Sequence, residues 1–365
     1  MTVYLLIGLT MVKTRVLVSG TANTFAPDLA ISQSVPEFAI NFSETNYDLV
    51  SKGKSEFLVL FNHEKNVYRS FISSGGRPEK AILIRLEPDT VFPAQYTKRI
   101  ENKYGFIISP GGVSPDGIFL GWPYKYHLNP AEPQITDPEL VKILDSIPQN
   151  SWFDYESWKQ RSHKLVMIAA NKVSPISQSN YSIRRNLASL IDKEILEVYG
   201  SLWGGNYYQK IHHRIAVLVA AIKQGTFPNL LQIYASLFKK YKASKGVIAD
   251  KHKLLRESKF TLVVENSNFI VTEKIFDAFI NGSIPIYVGA DLKLFGVPSG
   301  LAIESSGNPK DIESIVKNLS EVEVKEHLKA LQNFVTSEYF LSNWPADKVY
   351  LKIADKVKSY LDEVN

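Results

Sequence analysis

The 365-residue sequence contains no cysteine. Disulfides, thiolate metal sites and a cysteine nucleophile are therefore excluded, and the composition suits a reducing cytoplasm. Long apolar runs are also missing. No segment reaches the ~18 consecutive apolar residues of a membrane helix. The apolar start, Met1 to Val12, is too short to span a bilayer. It has no preceding basic residue and no clear small-residue cleavage site after it. It reads as a first strand, or as an upstream extension of a chain that begins at Met11. The chain has no P-loop pattern and no Gly-x-Ser-x-Gly elbow. An excess of charge of one sign is small too: the net charge is +5. The main basic cluster, Lys239, Lys240, Lys242, Lys245, Lys251 and Lys253, is diluted by Asp250. A nucleic-acid partner is not expected from it. It reads as a solvated helix end, and leaves open a peripheral contact with an anionic membrane surface.

What is present is 45% hydrophobic residues, a globular composition for a chain long enough for about two domains. Short Val/Ile/Leu-rich runs predict strands at Arg15 to Ser19, Glu56 to Phe61, Ala81 to Leu86, Gly105 to Ser109, Lys164 to Ala169, Ile195 to Tyr199, Phe260 to Val264 and Ile284 to Val288. Most lack polar alternation, as strands buried on both faces of a parallel sheet do. Helical patterns fall between them at Asn66 to Ser74, Asp137 to Ile147, Ser182 to Ile191, His212 to Gln224, Asn229 to Tyr241 and Thr272 to Asn281. Strands alternating with helices imply α/β architecture. The proline-rich stretch 121–162 reads as a connector, which places a domain boundary near residue 155. The expected division is 1–155, 156–345 and a C-terminal helix over 346–365 that is free to return to the first domain. His212 and His213 share a predicted helix without a spaced third ligand, so a structural role is expected for them.

Phe260 to Ala290 is the most informative segment. A buried-strand pattern ends in Glu265-Asn266. A polar loop follows, then Thr272-Glu273-Lys274 opens a helix that stops at Gly282. A second strand closes on Gly289. In open α/β sheets, ligands bind at the carboxyl ends of strands beside helix N-termini. Lys274 lies in the first turn, where the macrodipole disfavours a cation. A bound diphosphate would remove that conflict. Thr272 is placed to cap the helix, and Glu273 to accept from ribose or sugar hydroxyls. The alternative is that Glu273 simply offsets Lys274 at the surface.

The order Glu265-Asn266, short loop, Thr272-Glu273-Lys274, Asp277-Ala278, Gly282, Pro285 and Gly289 resembles the donor motif of the inverting α1,3-fucosyltransferases, glycosyltransferase family 10, in a distant bacterial-type form. The resemblance implies a GT-B-like α/β fold, with two Rossmann-like domains whose parallel sheets face across a cleft. It also implies that Asn266, Glu273 and Lys274 contact a GDP-sugar. The loop before Lys274 is about two residues shorter than the family pattern, and Ile270 stands where a tyrosine is common. A second segment resembles the family more loosely: a strand over Lys164 to Ala169, Arg184-Arg185 early in a helix, and a strand ending in Tyr199-Gly200. It implies a phosphate-binding arginine at Arg184 or Arg185, with spacing favouring Arg184. Guanidinium suits that role because its donors form a planar fork. In the first half, Glu87-Pro88 after a buried strand corresponds to the family's catalytic base. Without the family, a surface carboxylate or an Arg85–Glu87 ion pair would serve equally.

These expectations amount to a cytoplasmic enzyme, peripheral at most to the inner membrane surface, transferring L-fucose from GDP-fucose to an N-acetylglucosamine-containing glycan such as lipopolysaccharide. No Asp-x-Asp occurs, so no metal and no other cofactor is expected. Another GDP-sugar, or a non-catalytic nucleotide- or glycan-binding role, remains the alternative. The acceptor and the oligomeric state are not readable.

Overall fold

In a computed structural model, the described residues are 13–20, 45–109, 151–174, 178–203, 230–239, 241–344 and 346–365, with scattered residues between these stretches. The apolar start, the helical pattern over Asp137 to Ile147 and the His212–His213 pair lie outside them. The chain divides into two compact units. Unit 1 comprises residues 1–86, 97–108 and 350–365, and unit 2 comprises residues 87–96 and 109–349.

Unit 1 holds a five-stranded sheet in the order β2-β1-β3-β4-β5. The strands are β1 (Thr14–Gly20), β2 (Tyr47–Val50), β3 (Phe57–Phe61), β4 (Ala81–Ile84) and β5 (Phe106–Ile108). Every pairing is parallel. β3 and β4 are buried along their whole length, which accounts for their unbroken apolar sequences. Helix α1 (Lys65–Ser73) turns Tyr68 and Phe71 inward, three residues apart on one face. Arg85 pairs with Glu101 at 3.0 Å.

Unit 2 holds a six-stranded parallel sheet, β11-β10-β9-β6-β7-β8. Its strands are β6 (His163–Ile168), β7 (Leu196–Tyr199), β8 (Ser244–Gly246), β9 (Ser258–Val264), β10 (Ile284–Val288) and β11 (Ile303–Glu304). Its helices include α2 (Tyr181–Leu190), α3 (Leu230–Phe238), α4 (Lys251–Arg256), α5 (Glu273–Ile280), α6 (Pro309–Asn318) and α7 (Glu321–Val335). The expected α/β class is thus observed as two separate all-parallel sheets.

Helix α5 is central to unit 2. From Ile275 to Ile280 every residue is buried. Phe279 meets Phe334 of α7 edge-on at 5.7 Å, and Phe276 lies 4.7 Å from Trp344. Burying a phenylalanine contributes about 1.5–3 kcal/mol, so α5 is held from several sides. It ends where the sequence places its stop. Gly282 takes φ +62°, its N–H donates to Phe279 O, and Ser283 N–H donates to Ala278 O. This is the Schellman arrangement, which favours glycine at that position.

The last helix, α8 (Ala346–Val364), belongs to unit 1 from Tyr350 onward. Tyr350, Ile353, Ala354, Val357 and Leu361 form its buried stripe, at the three-to-four spacing of one helix face. Tyr47 Oη donates to Asp362 at 2.6 Å, and Tyr360 stacks on Phe106 at 4.8 Å.

Candidate active site

The site in unit 2 is built from the carboxyl ends of β6 and β9 and the start of α5. β9 is followed directly by Glu265, whose side chain is wholly buried. Its two oxygens accept from the Thr272 backbone N–H and from Thr272 Oγ1, each at 2.7 Å. A buried carboxylate thus closes the loop 266–271 and fixes the entry to α5. Gly289 is required beside it, because a Cβ there would lie 2.8 Å from Glu265 Cγ and 2.5 Å from Tyr287 Oη.

Thr272 stands at the N-cap of α5, but its side chain makes no capping bond. The expected cap is therefore corrected: the hydroxyl donates to Glu265 and accepts from Lys274 Nζ at 2.7 Å. Lys274 Nζ also lies 3.6 Å from Glu273 and 3.8 Å from Glu265. The unfavourable meeting of Lys274 with the helix dipole is offset by these two carboxylates. Burial pushes the Glu265 carboxyl above the ordinary carboxylate range, while Lys274 and the Thr272 bonds pull it back.

The two arginines after β6 are partnered inside the protein. Arg184 is 2% exposed. Its Nε and one terminal nitrogen donate to Val264 O at 3.1 and 2.6 Å, and the same nitrogen donates to Asn266 Oδ1 at 2.9 Å. It also lies over the Tyr181 ring at 4.9 Å. Arg185 donates to Asn171 Oδ1 at 3.3 Å and to Lys172 O at 2.7 Å. Arg184 therefore fixes Asn266 and the end of β9, and Arg185 fixes the turn that presents Lys172. We expect Arg184→Met to strand Val264 O and Asn266 Oδ1, at a cost of about 1–3 kcal/mol. Thermal melting checks this; an unchanged midpoint would contradict a structural role for the guanidinium.

Glu87 belongs to unit 2 with the segment it opens. Its carbonyl accepts from Gln95 Nε2 at 3.1 Å and from Tyr96 Oη at 2.9 Å. Pro88 O accepts the Val91 and Phe92 backbone N–H groups. The half-buried side chain lies within electrostatic reach of Lys172, Glu273 and Lys274. Burial raises the Glu87 carboxyl above its ordinary range, and Lys172 and Lys274 oppose the rise. Lys172 is lowered by burial in turn, and Glu87 opposes that shift. The structure thus brings together Glu87, Glu273 and Lys274, and adds Lys172 and Glu265. Sequence reasoning assigned no role to Lys172: it follows β6 in an irregular turn, without periodicity or a motif to mark it.

A pocket of about 340 Å³ lies against two of these groups, Glu273 and Lys274, and is not lined by Glu87, Lys172 or Glu265. Glu273 and Lys274 of α5 line it, with Ala169 after β6, Gly200 and Ser201 after β7, and Lys251 of α4. Such a volume is at the lower end for small-molecule sites. On its wall Lys251 pairs with Asp277 at 2.7 Å. Gly200 takes φ +138°, and a Cβ there would lie 2.3 Å from Ala169 O, so the two strand ends close tightly beneath the pocket. Among the described residues, no group of three or more His, Asp or Glu side chains is placed to hold a metal ion, and no helix is long and apolar enough to cross a membrane.

No protein-family model matches the chain, and no curated protein matches it in sequence. Among solved structures, an α1,3-fucosyltransferase is similar at 13% identity and TM-score 0.43, covering 97% of this chain and 93% of its own. Anabaena HepE, solved with UDP and glucose, is similar at 11% identity and TM-score 0.45, covering 90% of this chain and 83% of its own. The T4 phage β-glucosyltransferase is similar at 10% identity and TM-score 0.45, covering 96% of this chain and all of its own.

Proposed function

We propose that this protein is an inverting glycosyltransferase that takes a sugar from a nucleoside-diphosphate donor, GDP-fucose in the leading reading, and passes it to a hydroxyl of an N-acetylglucosamine-containing glycan. The observation that carries the reading is the Glu273–Lys274 pair, 3.6 Å apart at the N-terminus of α5, with Glu87 and Lys172 within electrostatic reach of it. It supplies a carboxylate of raised basicity and two cations at a place where helix geometry favours phosphate.

In this reading the acceptor oxygen attacks the anomeric carbon while Glu87 takes its proton. The bond from that carbon to the phosphate oxygen breaks, and both electrons leave with the nucleoside diphosphate. Lys274 meets the negative charge as it grows on the leaving group. Glu273 accepts from sugar or ribose hydroxyls. Asn266, held by Arg184, completes the donor side. Arg184 and Arg185 act through the groups they fix. The reaction would run in the cytoplasm, on an acceptor presented there.

A second reading keeps the site and changes the sugar. Ile270 is 2% exposed and Phe269 is 61% exposed. Ile270, which stands where the family pattern commonly has a tyrosine, brings no phenol hydroxyl to that position, which favours a donor sugar held with one polar contact fewer. Calorimetry of the full chain with GDP-fucose, GDP-mannose, UDP-glucose and GDP separates the readings. Selective binding of GDP-fucose supports the first. Equal binding of GDP and all GDP-sugars favours the second. No binding of any nucleotide would overturn both.

A further inference from the structure

Unit 2 carries a face that its own fold leaves apolar. The chain is helical at Ile215, at residues 217–219 and at Ile222, and again in α3. Val217 and Ile233 are buried together with Val173, and Leu218 and Leu237 pack against them. Both helical stretches therefore turn one side to the protein. On the other side, Ile215, Val219 and Ile222 are 54%, 43% and 75% exposed, and in α3 Leu230 and Tyr234 are 70% and 63% exposed. Spacings of three and four place each set on a single helix face. A helix packed by one face ordinarily shows polar residues on the other. Single exposed apolar residues are common; a row on each of two packed helical stretches is not.

The charge of the region is equally one-sided. From Val198 to Ala249 the sequence has no aspartate or glutamate, in a chain with 37 of them elsewhere. Lys239, Lys242 and Lys245 follow directly on α3, and all three are exposed. Glu197 of β7 lies within electrostatic reach of Lys245, but the stretch itself brings no carboxylate, and apolar rows beside such lysines match the interfacial zone of an anionic bilayer. There the apolar side chains enter the acyl boundary and the ammonium groups meet phosphates. A polyanion in water would use the lysines and leave the isoleucines wet. A second copy of the chain would set like-charged lysines against one another.

We propose that Ile215, Val219, Ile222, Leu230 and Tyr234, with Lys239, Lys242 and Lys245, form a docking face for anionic phospholipid membranes. The proposal does not depend on which donor the enzyme uses. It locates the surface at which a lipid-anchored acceptor would be presented to unit 2.

Co-sedimentation of the full chain with phosphatidylglycerol-containing vesicles and with pure phosphatidylcholine vesicles tests it. We expect binding to the anionic vesicles only, and release as added salt screens the lysines. The exposed-site variant Lys239→Gln/Lys242→Gln/Lys245→Gln is expected to weaken binding by about tenfold or more, with an unchanged melting temperature. Ile215→Ser/Val219→Ser/Ile222→Ser is expected to weaken it at least as much, and to leave GDP binding as in the wild type. Three results would overturn the proposal: no binding to anionic vesicles, binding that neither variant weakens, or lipid-free self-association that the isoleucine variant abolishes.

Discussion

Lys274→Ala is expected to lower sugar transfer by about 10²–10³-fold, the usual scale for removing one group aimed at developing negative charge. The substitution also disturbs the protein. Lys274 Nζ donates to Thr272 Oγ1 and lies near the buried Glu265, and losing a charged hydrogen bond of this kind costs about 1.5–3 kcal/mol. A fall in activity alone would not separate the two effects. The double variant Lys274→Ala/Glu265→Gln does so. It removes the uncompensated buried charge while keeping an acceptor for Thr272, so it should melt closer to the wild type. Transfer should stay as low as in the single variant, and calorimetry should show weakened GDP binding in both. If Lys274→Ala binds GDP as tightly as the wild type, the diphosphate does not meet the start of α5 and the donor assignment fails.

The sequence showed this site unevenly, for physical reasons. β9, α5 and β10 were legible because burial on both faces leaves an unbroken apolar pattern, and because Gly282 marks a left-handed stop. The unread strands β2, β8 and β11 all stand at sheet edges. An edge strand has one neighbour and more solvent, so residues such as Asp48, Lys245 and Glu304 are tolerated and the apolar signal fades. Glu265 and Thr272 were visible as motif members, but their mutual bonding was not. A carboxylate and a hydroxyl seven residues apart meet only because the loop between them folds back. Arg184 and Arg185 are adjacent basic residues on one helix, and only the spacing to Gly200 favoured the first. Folding gives them different partners, the end of β9 for one and the turn after β6 for the other. Lys172 had no local signal, since its importance arises from Glu87, which is distant in sequence.

That meeting of Lys172 and Glu87 supports the second large effect. Glu87→Gln should lower transfer by about 10²–10⁴-fold and leave GDP affinity within a fewfold of the wild type, because the side chain serves the acceptor and not the donor. The pH profile tests the role more directly. A general base must be ionised, so kcat/KM falls as pH falls through its pKa. Burial raises the Glu87 carboxyl, which places this acid limb above the ~4.3 of an unperturbed glutamate. Lys172 opposes the rise by favouring the carboxylate. Replacing it by methionine removes that help, so the Lys172→Met limb should move to higher pH. A merely structural lysine would lower activity at every pH and leave the limb in place. In Glu87→Gln the limb should disappear. If it persists there, or if Lys172→Met shifts it downward, the proton goes to another group and Glu87 is not the base.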